Sequence, residues 1–126
     1  MNVKELIQII DGTLISSPTN LNREIKGGFG ADLMSDVLAS VQPEAVLLTG
    51  LCNPQVVRTA QMADVAAIVL VRGKYPPIET IRLANEENLP LISTPYGMFE
   101  VCGRLHSHGL ASLERPMQNG SCECVD

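Results

Sequence analysis

The chain has few aromatic residues and no tryptophan, so its core must be built from aliphatic side chains. Phe, Tyr and Trp make up 3% of the 126 residues, whereas hydrophobic residues of all kinds make up 45%. A chain of this length is long enough for a single hydrophobic core. The sequence therefore predicts one domain whose core consists of Leu, Ile, Val, Ala and Met.

A long hydrophobic run is also missing. The apolar stretches are about six residues long, whereas a membrane-spanning helix needs about 20. Residues 1–6 have neither the apolar stretch nor the small-residue cleavage site of a secretory signal peptide. We therefore expect a cytoplasmic protein that does not enter a membrane. In that compartment its four cysteines are not expected to form disulfides.

Basic residues are fewer than acidic ones, and they are scattered along the chain. There are nine Lys and Arg against 14 Asp and Glu, which gives a formal net charge of −5. Proteins that bind nucleic acid usually need a clustered basic surface that displaces counterions from the phosphates. We therefore expect no nucleic-acid partner.

The chain carries no catalytic signature. The glycine cluster at residues 27–30 lacks the Lys-Ser/Thr of a phosphate loop and the spacing of the dinucleotide motif Gly-x-Gly-x-x-Gly. We interpret it as a strand that runs into a structural turn. A Ser/His/Asp set and a His-Glu-x-x-His element are absent as well, so the sequence favours a non-catalytic role. A small enzyme that uses Cys52 or a loop carboxylate is an alternative, but no base lies near Cys52 in the sequence.

What the chain does have is three consecutive βα units. Each unit starts with a short apolar run, at residues 45–48, 66–71 and 89–92, and continues into an amphipathic helical pattern. This alternation predicts an α/β domain with a small, mainly parallel sheet flanked by helices. We assign residues 1–110 to this domain. Residues 111–126 show no periodicity and are assigned to a flexible tail that contains two cysteines.

Capping residues predict where the helices begin. Asn2, with Glu5 three residues later, predicts a capping box at the first helix. Asp32, Asn53 and Thr94 are predicted N-caps of later helices, and a proline follows the last two.

The helical patterns also predict which side chains face the core. Ile78, Phe99 and Cys102 fall at apolar positions of their helices and are expected to be buried. Gly109 is the predicted stop of the last helix.

The loops after the three strands are predicted to meet at one edge of the sheet, where open α/β sheets bind ligands. Candidate ligand-binding residues in these loops offer amides, hydroxyls, positive charges or an aromatic ring beside helix N-termini. They are Thr49, Gly50, Cys52, Asn53, Arg72, Gly73, Lys74, Thr94 and Tyr96. The expected ligand is a nucleotide or another small anion. The alternative is that these residues only cap helices or lie in an ordinary solvated loop, and bind no ligand.

Two cysteines near the C-terminus form a candidate metal-binding pair. Cys122 and Cys124 offer thiolates for a zinc or iron–sulfur site, but four ligands are normally needed, so a second chain or a partner would have to complete it. The alternative is an exposed, redox-sensitive tail, because the usual metal-ligand spacing is Cys-x2-Cys. His106 and His108 are a second pair, for which an interaction with the C-terminal helix dipole is the simpler explanation.

Four segments share a hydrophobic pattern and a placement of glycines that are typical of a known family. They are residues 27–38 (GGFGADLMSDVL), 45–50 (AVLLTG), 66–73 (AAIVLVRG) and 89–94 (LPLIST). Together with Phe99 they resemble the DRTGG domain family, in its stand-alone form. The likeness rests on pattern rather than on catalytic residues.

The resemblance implies a fold similar to the N-terminal domain of HPr kinase/phosphorylase. It implies a regulatory, sensing or adaptor role, usually as a homodimer, and no known catalytic activity. Stand-alone members often occur beside iron-only hydrogenases and histidine-kinase-like proteins. The resemblance therefore also implies an alternative, a redox-linked accessory protein of an iron–sulfur enzyme that uses Cys122 and Cys124.

The residues that give the family its name are largely missing from this chain. By the resemblance, the Asp-Arg pair would fall near Leu51 and Cys52. The Thr-Gly-Gly sequence would fall on residues 71–73, where only Gly73 is kept.

Overall fold

A five-stranded, mainly parallel sheet forms the centre of the structure, a computed structural model that describes residues 1–17 and 20–114. Its strands, in chain order, are β1 (Thr13–Leu14), β2 (Gly27–Gly30), β3 (Ala45–Thr49), β4 (Ala67–Leu70) and β5 (Leu91–Ser93). Their spatial order is β1-β5-β4-β3-β2. Strands β2 to β5 are parallel to one another, and β1 pairs antiparallel with β5.

Helices cover both faces of this sheet. They are α1 (Val3–Ile9), α2 (Met34–Ser40), α3 (Pro54–Met62), α4 (Ile78–Glu86) and α5 (Met98–Ser107). Helices α1 and α5 pack against one face, and α2, α3 and α4 pack side by side against the other. The predicted α/β architecture of parallel strands and flanking helices is confirmed.

The two central strands, β3 and β4, are almost entirely apolar because both of their faces are covered. Every residue of β3 and β4 is buried. Leu48, Val69 and Ile92 lie in register and pack under α1 and α5, whereas the neighbouring Leu47 and Ile68 pack under α2, α3 and α4.

The core is aliphatic, as the composition predicts. Phe29 is the one aromatic side chain among the buried hydrophobic residues of the described chain.

Two of the predicted signals at helix ends are confirmed, the capping box of α1 and the glycine that follows α5. The amide of Glu5 donates to Asn2 Oδ1 (2.8 Å), and the amide of Asn2 donates to Glu5 Oε1 (3.2 Å), which completes the predicted capping box. Helix α5 ends before Gly109, whose φ of 92° lies in the left-handed region that glycine favours.

Three predicted N-caps behave differently. Leu33, not Asp32, occupies the N-cap of α2, because the Asp32 carboxylate accepts hydrogen bonds from the end of β3 instead. Thr94 is buried and donates to the carbonyl of Ile10 (2.7 Å), so α5 begins only at Met98. Asn53 does stand at the N-cap of α3, but its side chain makes no capping hydrogen bond.

Three residues predicted to be buried are exposed. The side chains of Phe99 and Ile78 are 94% and 53% exposed, and Cys102 is exposed as well. In α5 only Val101 and Leu105, one turn apart, are buried, since the helix meets the sheet along one narrow stripe.

The chain stays paired with the sheet beyond the last helix. The amide of Gly28 donates to the carbonyl of Ala111 (2.9 Å), and the amide of Leu113 donates to the carbonyl of Gly28 (2.9 Å). Glu114 forms an isolated bridge with Val41. Residues 115–126, the rest of the predicted tail, lie outside the described residues. Among the described helices, none has the length and hydrophobicity to cross a membrane.

The close approach of this segment to β2 leaves no room for a side chain at Gly27 unless its neighbours move. A Cβ added at Gly27 would lie 2.4 Å from the Cβ of Leu113 and 2.9 Å from the carbonyl oxygen of Ala111. Gly27→Ala is therefore expected to lower the free energy of unfolding by about 1–3 kcal/mol, because both neighbours must move. Urea denaturation followed by circular dichroism measures the change.

Gly103→Ala is the matched control for this prediction. Gly103 lies inside α5 with no heavy atom within 4 Å of its added Cβ. Alanine at this site should stabilise the protein by about 0.5–1 kcal/mol through its higher helix propensity. Equal effects of the two substitutions would contradict the packing argument.

Candidate functional site

The carboxyl ends of β2 to β5 lie at one edge of the sheet, here called the carboxyl edge. It consists of the loops at residues 31–33, 50–53, 71–77 and 94–97. The structure thus brings the three predicted loops together and adds a fourth, which follows β2. The chain leaves β4 towards α4 on one face of the sheet and leaves β5 towards α5 on the other, which is the arrangement at which open α/β sheets bind ligands.

Asp32 ties two of these loops together. Its Oδ1 accepts hydrogen bonds from Thr49 Oγ1 (3.0 Å) and from the amide of Gly50 (2.7 Å). Thr49 Oγ1 in turn accepts from the amide of Leu51 (3.2 Å). The predicted ligand-binding groups of Thr49 and Gly50 are therefore already bonded within the protein.

The loops after β4 and β5 are joined by two backbone hydrogen bonds. The amide of Arg72 donates to the carbonyl of Tyr96, and the amide of Gly73 donates to the carbonyl of Thr94, both at 2.7 Å. Arg72 and Gly73 have φ of 65° and 66°, a left-handed pair that costs energy at the arginine. This turn needs glycine at its second position, and it holds the Arg72 side chain in solvent.

Thr94 and Tyr96 support the fold around α1. Tyr96 donates its hydroxyl to the Asp11 carboxylate, and the guanidinium of Arg104 lies 4.0 Å from the centre of the Tyr96 ring. The hydrogen bond to Asp11 and burial raise the pKa of Tyr96 above its usual value. The Thr94 hydroxyl donates to the carbonyl of Ile10, as described above. The hydroxyl groups of Thr94 and Tyr96, both predicted to bind a ligand, are therefore hydrogen-bonded within the protein.

Only part of the predicted set faces solvent. The side chains of Asn53, Arg72 and Lys74 are exposed at this edge. Cys52 is half-buried against the core under α2, α3 and α4, and its carbonyl accepts a hydrogen bond from Thr80 Oγ1 (2.8 Å).

Large apolar side chains are exposed beside these polar groups. Leu33, Tyr75, Ile78 and Phe99 all belong to loops or first helical turns at the carboxyl edge. Hydrophobic periodicity predicted that Ile78 and Phe99 are buried in the core. Both residues lie in the first turn of a helix that follows a strand, and this position could have indicated that they are exposed at the edge of the sheet. The carboxyl edge therefore carries two exposed cations and several exposed apolar side chains in its loops and first helical turns.

A separate cavity of about 220 Å³ lies on the face of the sheet under α5, here called the β2 groove. Gly28 and Gly30 line it without side chains, and Cys102, His106 and Glu114 stand around it. Burial raises the pKa of the Cys102 thiol. Sequence reasoning missed this groove, because it depends on residues 110–114 returning to β2.

Within residues 1–17 and 20–114, no group of three or more His, Cys, Asp and Glu residues is placed to hold a metal ion. Cys122 and Cys124, the predicted metal pair, lie outside the described residues. His108 Nδ1 is 2.8 Å from the carbonyl of Arg104, as expected for a histidine that interacts with the C-terminal end of its helix.

A family model decides the relationship of this chain to known proteins. The model of the DRTGG domain matches residues 5–108, most of the sequence. The chain belongs to the DRTGG domain family. No curated protein matches the sequence.

The DRTGG assignment agrees with a solved structure. The domain is similar to the CBS and DRTGG domains of the regulatory region of Clostridium perfringens pyrophosphatase, complexed with the activator diadenosine tetraphosphate. The TM-score is 0.69 at 13% identity, which shows a shared fold. The alignment covers 82% of this chain but only 45% of the clostridial one, so this DRTGG domain spans less than half of that regulatory region.

The hydrogen bonds of Asp32 are expected to stabilise the carboxyl edge of this DRTGG domain, and a substitution tests this. Asp32→Ala removes the acceptor for two donors, one of them the hydroxyl of the fully buried Thr49. We expect it to lower the free energy of unfolding by about 1–3 kcal/mol, as measured by urea denaturation.

Asp32→Asn should restore most of this loss, because its amide oxygen still accepts a hydrogen bond. Glu86→Ala, at an exposed carboxylate on α4, controls for the loss of one negative charge. If Asp32→Ala lowered the free energy of unfolding no more than Glu86→Ala does, the hydrogen bonds of Asp32 would not stabilise the fold.

Proposed function

We propose that this DRTGG domain is a non-catalytic regulatory module that senses a nucleotide or a related phosphate-rich anion at its carboxyl edge. The observation that carries the proposal is the exposed cation pair Arg72 and Lys74, two residues apart in the loop that follows β4. On a chain with a net charge of −5, these cations form a local site of attraction for a polyanion.

Side chains, rather than backbone amides, would make the phosphate contacts. The amides of Gly50, Arg72 and Gly73 all donate to acceptors within the protein. A backbone cradle of the phosphate-loop kind therefore has no donors left at these positions. An arginine guanidinium can grip two phosphate oxygens at once, and a lysine adds a mobile point charge.

Apolar groups next to the cations suit the base of a nucleotide. The Tyr75 side chain is 74% exposed, and Ile78 begins α4 three residues later. A phenol ring in solvent offers a face on which a base can stack, and the Asn53 amide offers both donor and acceptor atoms.

The comparison supports a nucleotide of the polyphosphate class as the first probe. The similar clostridial region is regulatory and binds diadenosine tetraphosphate, a molecule with two bases and a chain of phosphates. A homodimer and a histidine-kinase-like partner stay predictions. The matched family and structure give no support to the alternative role beside an iron–sulfur hydrogenase.

Thermal unfolding of the full chain with diadenosine tetraphosphate, ATP, AMP and inorganic phosphate tests the proposal. A ligand that binds only the folded state, present at about ten times its Kd, adds about 1.4 kcal/mol of stability. For a domain of this size that corresponds to a rise in Tm of roughly 5 °C. The rise should shrink at high salt, because exposed charges are screened.

Arg72→Gly/Lys74→Ala is expected to abolish this rise. Glycine at residue 72 relieves the left-handed strain, so the variant keeps or gains stability and loss of binding cannot be ascribed to unfolding. Lys4→Ala/Arg58→Ala removes the same charge from exposed positions on α1 and α3 and should keep the full response. A wild-type chain that responds to none of the four probes would refute ligand sensing at this edge.

A further inference from the structure

The outer side of helix α5 carries the most exposed large hydrophobic side chain of the described residues, Phe99, which is 94% exposed. Gly103 and Ser107 follow it one and two turns later and are exposed as well. The three residues form a stripe on the side of the helix opposite the buried Val101 and Leu105. Covering the Phe99 ring with a partner would gain free energy in proportion to the apolar area removed from water.

A shallow hollow lies next to the Phe99 ring on the same side of α5. It measures about 270 Å³, more than the volume of a phenyl ring, and is lined by Phe99, Glu100, Gly103, Arg104, Ser107 and His108. Gly103 contributes only backbone to this hollow, and a Cβ added there would meet no heavy atom within 4 Å. The hollow therefore has room for an aromatic ring from another molecule.

The stripe thus offers both a ring and a hollow that fits a ring, which is the shape of a surface that is complementary to itself. In an antiparallel pair of α5 helices related by a two-fold axis beside Gly103, each Phe99 lies against the turn from Gly103 to Ser107 of the other copy. A parallel pair would place the two Phe99 rings side by side and leave both hollows empty. The shape of the stripe therefore favours an antiparallel pair.

The charges on this side of α5 favour the same orientation. Glu100 lies in the first turn of α5, whereas Arg104 and His106 lie in the last turn. The side chains of Glu100 and Arg104 form an ion pair within the chain (2.8 Å) and stay 55% and 36% exposed. An antiparallel pair brings Glu100 of each copy towards Arg104 of the other, and it also pairs the opposite ends of the two helix dipoles.

We propose that two copies of this chain associate through α5 in antiparallel orientation, with Phe99 of each copy packed against Gly103 of the other. The core of this contact is one helix of 10 residues from each copy. Such a small interface is typical of reversible rather than permanent association. The contact does not use Arg72 or Lys74, so its test is independent of ligand sensing at the carboxyl edge.

Sedimentation equilibrium of the full chain, without nucleotide, measures the association. Between about 1 μM and about 1 mM we expect the average mass to rise from that of one chain towards that of two. Phe99→Ala and Gly103→Leu should each weaken dimerisation at least about tenfold, because one removes the central aromatic ring and the other fills the hollow that receives it. Met62→Ala, at a 65% exposed hydrophobic side chain on α3, should dimerise like the wild type.

Disulfide trapping tests the orientation of the two helices. The background is a chain in which Cys102, Cys122 and Cys124 are replaced by serine. In this background, Gly103→Cys should form a disulfide between two copies under oxidising conditions, and Ser107→Cys should not. An antiparallel pair centred on Gly103 holds the two residues 107 about 12 Å apart along the helix axis, whereas a parallel pair holds them side by side.

The variants on α5 are expected to fold, because Phe99 and Gly103 are exposed, and circular dichroism verifies it. A wild-type chain that remains monomeric at about 1 mM would overturn the proposal and leave this side of α5 to a different partner. Wild-type dimerisation in both Phe99→Ala and Gly103→Leu would show that the copies meet through another surface. A disulfide in Ser107→Cys would overturn the antiparallel orientation.

Discussion

The parallel pairing of β2, β3, β4 and β5 is the constraint on which the rest of the structure depends. Parallel neighbours cannot be joined by tight turns, so each connection must cross back over the sheet, here as a helix. The central strands β3 and β4 are then covered on both faces and are almost entirely apolar. The same pairing places every strand-to-helix loop at one edge, which is why the exposed cations and the exposed apolar side chains meet there.

The carboxyl edge combines a rigid frame with an open surface. Asp32 binds the first two loops to each other, and two backbone hydrogen bonds join the last two. These bonds use most of the polar groups that a catalytic or phosphate-cradling loop would direct at a ligand. What remains in solvent is a set of side chains, among them Arg72 and Tyr75, on loops that are joined to one another by these hydrogen bonds. Recognition without chemistry suits such a surface, and it agrees with the regulatory role that we propose.

Features set by neighbours in the sequence could be predicted, and those set by distant contacts could not. The capping box of Asn2 and Glu5 forms within one helical turn, and its residues alone reveal it. Thr94 carries the same kind of capping signal, yet its hydroxyl bonds to Ile10, 84 residues away. Periodicity found the helical stripe of α5 but overestimated its width, so Cys102 was assigned to the core. The β2 groove required the return of residues 110–114, for which no local pattern exists.

The two outer strands of the sheet are protected in different ways. On one side β1 has only two residues and offers little length for another chain to pair with. On the other side the backbone of Gly28 is covered by Ala111 and Leu113. The resistance of the protein to self-association through this strand thus depends on a few residues just after its last helix. A change that loosened them would uncover an unpaired strand besides weakening the fold, so that self-association would accompany the loss of stability.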